Sequence, residues 1–135
     1  MAERYFTPEE ANALLAEVRP VAESLVEHRR AMVAAARRQA RLVQRIAGNG
    51  GDLDPQEPRT VEEEFERERD AVADCAERLE RLGVLVKDLD RGLVDFPALH
   101  NGEEVLLCWQ VGEGEVAFWH GLEEGFAGRK PLPFS

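Results

Sequence analysis

Asp95, His100 and His120 are the residues whose types could do chemistry together in this chain. Two imidazoles and a carboxylate suit a divalent transition metal such as zinc, and equally iron or manganese. The same three groups can act as general acid and base. Glu103, Glu104, Glu123 and Glu124 are near enough in sequence to add an oxygen ligand. The spacing carries no signature of its own, because His-x-x-x-His, Glu-x-x-His and Cys-x-x-Cys are all missing. The plainer alternative makes His120 a hydrogen-bonded residue at a strand end and His100 a solvated loop residue.

Other groups in the same third of the chain offer less. Cys108, between Leu107 and Trp109, reads as a buried inert thiol, since a nucleophile needs a nearby base and none is identified. Arg129 ends a Gly-Phe-Ala-Gly-Arg turn and could hold a substrate carboxylate or phosphate, or simply pair with a local acid. Trp119, beside His120, is counted with Arg129 as a ligand contact, although both tryptophans read first as core or interface anchors. No glycine spacing matches a phosphate-binding loop.

These residues need a sheet to position them. Past Gly83 the pattern changes to period two, rich in β-branched and aromatic residues, and gives four short strands at about 84–88, 92–96, 104–110 and 115–120. Asp90-Arg91-Gly92 and Gly112-Glu113-Gly114 read as turns, and residues 96–102 as a longer loop. If the last turn sets the register, Leu107 faces Phe118 and Val105 faces His120; a one-residue slip moves His120 to the other face. Glu113 then lies roughly 20 Å from His120, at ~3.3 Å per residue, and belongs to turn structure.

The first part of the chain reads as a helical hairpin over 7–82. Thr7-Pro8-Glu9-Glu10 is a capping box with proline at the first helical position. Leu14, Val18, Val21, Leu25, Met32, Ala35, Leu42 and Ile46 make the seam of helix 1, with His28 and Gln39 as polar members and Pro20 inside it. Gly48-Asn49-Gly50-Gly51 stops the helix, and Thr60 and Glu63 suggest a second capping box. Helix 2 has Val61, Phe65, Val72, Cys75, Leu79 and Leu82 as its seam and Glu68 as the odd member. Helix 1 is the longer, so its overhanging Leu14, Leu15 and Val18 must meet the sheet or another subunit.

The expected fold class is therefore α+β, one domain over 1–135: a long antiparallel helical hairpin, a four-stranded antiparallel meander over 83–120, and a tail over 121–135. The formal charge of -10 disfavours nucleic acid and anionic membrane as partners. The arginines of helix 1 and the acids opening helix 2 can neutralise each other across the hairpin. No apolar run approaches the ~20 residues of a membrane span, and neither the N-terminus nor the two cysteines suggest export, so a cytoplasmic protein is expected.

The opening Tyr-Phe-Thr-Pro-Glu-Glu-Ala-Asn-Ala-Leu-Leu, the middle Gly-Val-Leu-Val-Lys-Asp-Leu-Asp-Arg-Gly-Leu-Val-Asp-Phe-Pro-Ala, the Leu-Cys-Trp, and the Trp-His followed by Gly-Phe-Ala-Gly-Arg resemble a prokaryotic domain-of-unknown-function family, number 2203. The resemblance spans nearly the whole chain. It implies a small stand-alone cytoplasmic protein and carries no reaction and no catalytic residues across.

Two functions are compatible with these residues. The first is a non-enzymatic interaction or binding protein, a homo-oligomer built through helix 1. The second is a metal-dependent, hydrolase-like enzyme using Asp95, His100 and His120 at one end of the sheet.

Overall fold

Thr7 opens the first helix through both halves of a capping box. Its hydroxyl accepts the Glu10 N–H at 3.0 Å, and the Glu10 carboxylate accepts the Thr7 N–H at 2.9 Å. In the computed structural model, which describes residues 2–49 and 54–134, helix α1 runs Pro8–Asn49 and α2 runs Gln56–Arg81. Of the glycine stop expected at 48–51, Gly48 and Asn49 are still helical, and 50–51 lie outside the described residues.

Helix α2 starts earlier than its sequence suggested. Asp54 Oδ1 accepts the Gln56 N–H at 2.9 Å, and Thr60 sits inside the helix, its hydroxyl donating back to the Gln56 carbonyl at 3.0 Å. Pro58 falls in the first turn, where a missing N–H breaks no helical bond. An acid two residues ahead of the helix thus does the capping assigned to Thr60.

One polar member of each helical seam meets the other: His28 Nδ1 lies 2.6 Å from Glu68 Oε2. Arg38 pairs with Glu64, and Arg45 with Glu57 at 3.6 Å, so the basic and acidic runs do face one another. The overhang of α1 is covered by the sheet of its own chain. Leu15 and Val18 are buried in one cluster with Val94, Phe96, Leu107 and Trp109, and Leu14 packs against that cluster.

The sheet is an antiparallel meander of five strands: β1 (Leu85–Asp88), β2 (Leu93–His100), β3 (Glu103–Gln110), β4 (Phe118–Gly121) and β5 (Lys130–Pro131). The α+β class holds, and three details change. First, residues 96–100 are strand rather than loop. Pro97 is tolerated there because its carbonyl turns away from β3 and accepts the Phe6 N–H at 2.7 Å, so its missing donor removes no bond to β3. Asn101 and Gly102, with φ of 54° and 79°, then close a tight two-residue hairpin.

Second, β4 pairs one residue out of the expected register, with Cys108 opposite Phe118, Leu107 opposite Trp119 and Leu106 opposite His120. The cause is Asn12 on α1, which bonds both backbone groups of Val116 and holds it out of the ladder. Third, the expected tail contributes β5 and a 3-10 turn at Phe126–Gly128.

The faces follow from the register. Val94, Phe96, Ala98, Val105, Leu107 and Trp109 face the helices. Asp95, Cys108 and His120 point to the opposite face. No helix of the described residues is long and apolar enough to cross a membrane.

Candidate functional site

Asp95 on β2 is the direct cross-strand partner of Cys108 on β3, and His120 on β4 stands opposite Leu106, next but one to Cys108. All three lie on the outer face, and all are buried, with Asp95 1%, Cys108 1% and His120 5% exposed. One ligand atom from each lies within 4.8 Å of the other two.

The hydrogen bonds fix the roles of the atoms. His120 Nδ1 lies 2.8 Å from the Gly121 carbonyl, which can only accept, so Nδ1 carries a proton and donates it there. Nε2 is left facing Asp95 Oδ1 at 3.2 Å. A contact between that nitrogen and a carboxyl oxygen requires one proton between them. Burial raises the Asp95 pKa, opposed by the His120 charge, so the carboxyl competes for that proton.

The thiol is unreactive in this form. Burial, reinforced by the Asp95 charge, pushes Cys108 from its usual 9.0 up to about 12. A thiol that stays protonated is no nucleophile at neutral pH. The order of the groups also differs from a nucleophile–base–acid relay, because His120 Nε2 is engaged by the Asp95 carboxyl and not by the thiol.

A metal fits the same groups better. Around a tetrahedral zinc with bonds of ~2.0–2.3 Å, ligand atoms stand roughly 3.3–3.8 Å apart. The Nε2–Oδ1 separation of 3.2 Å is already close to that. An imidazole that donates through its other nitrogen to a backbone carbonyl is oriented as metal-bound histidines are. An ion here would take the place of the shared proton and of the thiol proton.

Arg129 and Glu113 adjoin the cluster. Arg129 is sandwiched between the Phe118 and Phe126 rings at 4.2 and 4.5 Å. Its Nη2 donates to Glu113 Oε1 at 2.7 Å and to the Cys108 carbonyl at 3.2 Å, while its buried Nε has no partner among the described residues. Glu113 also accepts the Gln110 N–H at 2.9 Å, the turn role expected of it. Strand counting set Glu113 apart from the site, but Arg129 returns over the sheet and ties the two ends together.

His100 is not brought to this cluster. It follows Ala98 on the helix-facing side of β2, past the strand residues that meet the helices, and stacks on Phe134 at 4.3 Å with Trp119 at 5.3 Å. Trp119 lies on that side too, with Lys130 Nζ 4.6 Å over its ring. Trp109 is fully buried, as its anchor reading required. Of the three residues expected to share a site, the structure brings Asp95 and His120 together, with Cys108 beside them, and leaves His100 elsewhere. The missed signal was Asn101-Gly102: a two-residue turn there makes paired residues sum to 203 and places Cys108 opposite Asp95.

The family model described as "Uncharacterized conserved protein (DUF2203)" matches residues 4–132. The chain belongs to the DUF2203 family. No curated protein and no solved structure matches it. The match embraces every residue of the outer-face cluster of this DUF2203 chain, together with both helices that carry the sheet.

The raised thiol pKa gives the metal-free DUF2203 protein a pH signature. The folded-state value lies above the unfolded one, so this group's contribution to stability is fully present below pH about 9 and is lost as pH rises toward about 12. Other groups titrate in that window, so the readout is a difference. Urea unfolding of wild type and Cys108→Ala at pH 8 and pH 10.5 should show the wild type losing more stability. Equal losses would show that the thiol is not held protonated by its surroundings.

Proposed function

We propose that this protein binds a divalent transition metal of the zinc class through Asp95, Cys108 and His120. The observation that carries the reading is the convergence of a carboxylate, a thiol and an oriented imidazole within 4.8 Å on one buried sheet face. Mixed sulfur, nitrogen and oxygen donors favour zinc over calcium or magnesium. Three protein ligands leave a fourth tetrahedral position, which supports Lewis-acid, hydrolase-like chemistry if a substrate reaches it. The burial of all three groups favours binding over turnover in the closed form. Two reduced, buried cysteines suit a cytoplasmic protein. Elemental analysis of protein purified without a histidine tag tests the reading.

A second reading is self-association through α1. Val43 and Ile46 are exposed on its distal half, whereas Leu15 and Val18 are already covered by the sheet. Arg38 and Arg45 are occupied by Glu64 and Glu57, which leaves less charge for nucleic acid. Size exclusion with light scattering should show a dimer or larger at tens of micromolar, and Val43→Glu should shift it toward monomer. A clean wild-type monomer removes this reading.

A further inference from the structure

We infer that the open position of this metal site takes a small oxyanion or carboxylate, recognised by Arg129 and by cations at the β1–β2 end of the sheet. The inference rests on the metal reading and adds the class of ligand.

Charge distribution is the first argument. The chain carries -10 overall, yet the outer face gathers positive groups around the cluster. Lys87, at the β1 bulge, acts on Asp95 through its charge. Arg91 extends over the Phe126 ring at 5.3 Å. With Asp95 and Cys108 ionised as ligands, a divalent ion leaves the three-ligand centre neutral, and Glu113 neutralises Arg129. Asp90 is taken up by Arg29, and Asp88, which accepts two turn N–H groups, keeps a single negative charge against Lys87 and Arg91, so this end is left with one positive charge in excess. An anion is the ligand that completes the balance.

The second argument is the donor left over. The Arg129 side chain is 12% exposed, touches the Cys108 carbonyl, and keeps a buried Nε–H with no acceptor among the described residues. A buried unpartnered donor costs on the order of 1–3 kcal/mol, and an oxygen of a metal-bound anion would satisfy it. A guanidinium fixed between two aromatic rings is also a rigid recogniser of planar carboxylates and of phosphate.

The third argument is access. Residues 122–128 cross the outer face as a strap between β4 and β5, and their backbone bonds close within the strap or onto its flanking residues: Glu124 N–H to Gly121, Gly128 N–H to Gly125, and Arg129 N–H to Phe126. Phe126 is held by stacking on Arg91 and Arg129. Lifting residues 122–128 therefore breaks no pairing of the β-ladders, leaves Arg129 on Glu113 and the Cys108 carbonyl, and admits a small ion.

The test uses the full chain loaded with cobalt(II), whose visible bands report both thiolate ligation and coordination number. Inorganic phosphate and acetate are titrated separately, which distinguishes the two oxygen sources. At least one of them should shift the cobalt bands saturably in wild type. Arg129→Gln should keep the bands and weaken the anion response at least about tenfold. Arg91→Gln, at an exposed site where folding is not at stake, should weaken it by a smaller factor. Cobalt bands that neither anion moves would overturn the inference and leave the metal reading standing. An anion response unchanged in both variants would also overturn it, since the anion would then sit on the metal alone. Absence of cobalt bands would remove the metal reading and the inference with it.

Discussion

Tag-free protein will take up close to one zinc or cobalt ion per chain, and Cys108→Ala will lower that affinity at least about a hundredfold. The size follows from what the substitution removes. Cys108 supplies the one sulfur of a three-ligand set, and even residues that only orient ligands change affinity by roughly 10–100-fold. Asp95→Ala and His120→Ala should do the same by removing the other two donors. His100→Ala should not, because that ring lies on the opposite side of the sheet against Phe134. At a free metal concentration a thousand times the dissociation constant, binding to the folded state alone adds about 4 kcal/mol. For a chain of this length that raises the melting temperature by roughly 14 °C. The gain should grow from pH 6 to pH 8, because the ion must displace the proton shared by Asp95 and His120 and the proton that Cys108 holds tightly. Substoichiometric metal with an unshifted melting curve would sink the reading.

The fold was legible where local chemistry decides it. Thr7 and Glu10 announced a helix start and make both expected bonds. His28 and Glu68 looked like flaws in two separate seams, and their pairing shows that each was the partner of the other. The site was legible only in part, because its geometry depends on register, and register is set by contacts remote in sequence. Asn12 pulls Val116 out of the ladder from 104 residues away, and that one-residue slip decides which face His120 occupies. The Asn101-Gly102 turn was a local signal, masked because Pro97 made the preceding residues look like loop. Pro97 remains in a strand because the N-terminal segment, through Phe6, takes the place of a neighbouring strand at that point. Arg129 could not be placed from its own surroundings, since a glycine-rich strap carries no periodicity to say where it lands.

Trp109→Ala should cost about 3–5 kcal/mol of stability, the range for removing a large aromatic side chain from a core. That is a third or more of the stability of a typical domain. Trp109 is fully buried between sheet and helix. Its indole N–H donates to the Gly114 carbonyl at 3.2 Å, and Arg19 of α1 lies over its ring at 5.2 Å. Arg19 in turn donates to the Glu113 and Gly114 carbonyls at 2.9 and 2.7 Å. The tryptophan therefore does more than fill volume, because it helps to hold the turn that carries Glu113 against the helix. Glu113 is what fixes Arg129 beside Cys108 on the other face. Truncating Trp109 should thus loosen the outer-face site through the turn, although no atom of the indole touches it. Trp109→Phe keeps most of the buried surface and loses the indole donor, while Arg19 still satisfies the Gly114 carbonyl, so it should cost less, about 0.5–1.5 kcal/mol for the lost hydrogen bond plus the loss from the smaller ring. Urea unfolding gives both values, and cobalt affinity of the folded variants reports the coupling. A Trp109→Ala loss below about 1 kcal/mol would mean that the ring is not the anchor its burial indicates. A full stability loss with unchanged cobalt affinity would mean that the turn holds Glu113 without help from the core.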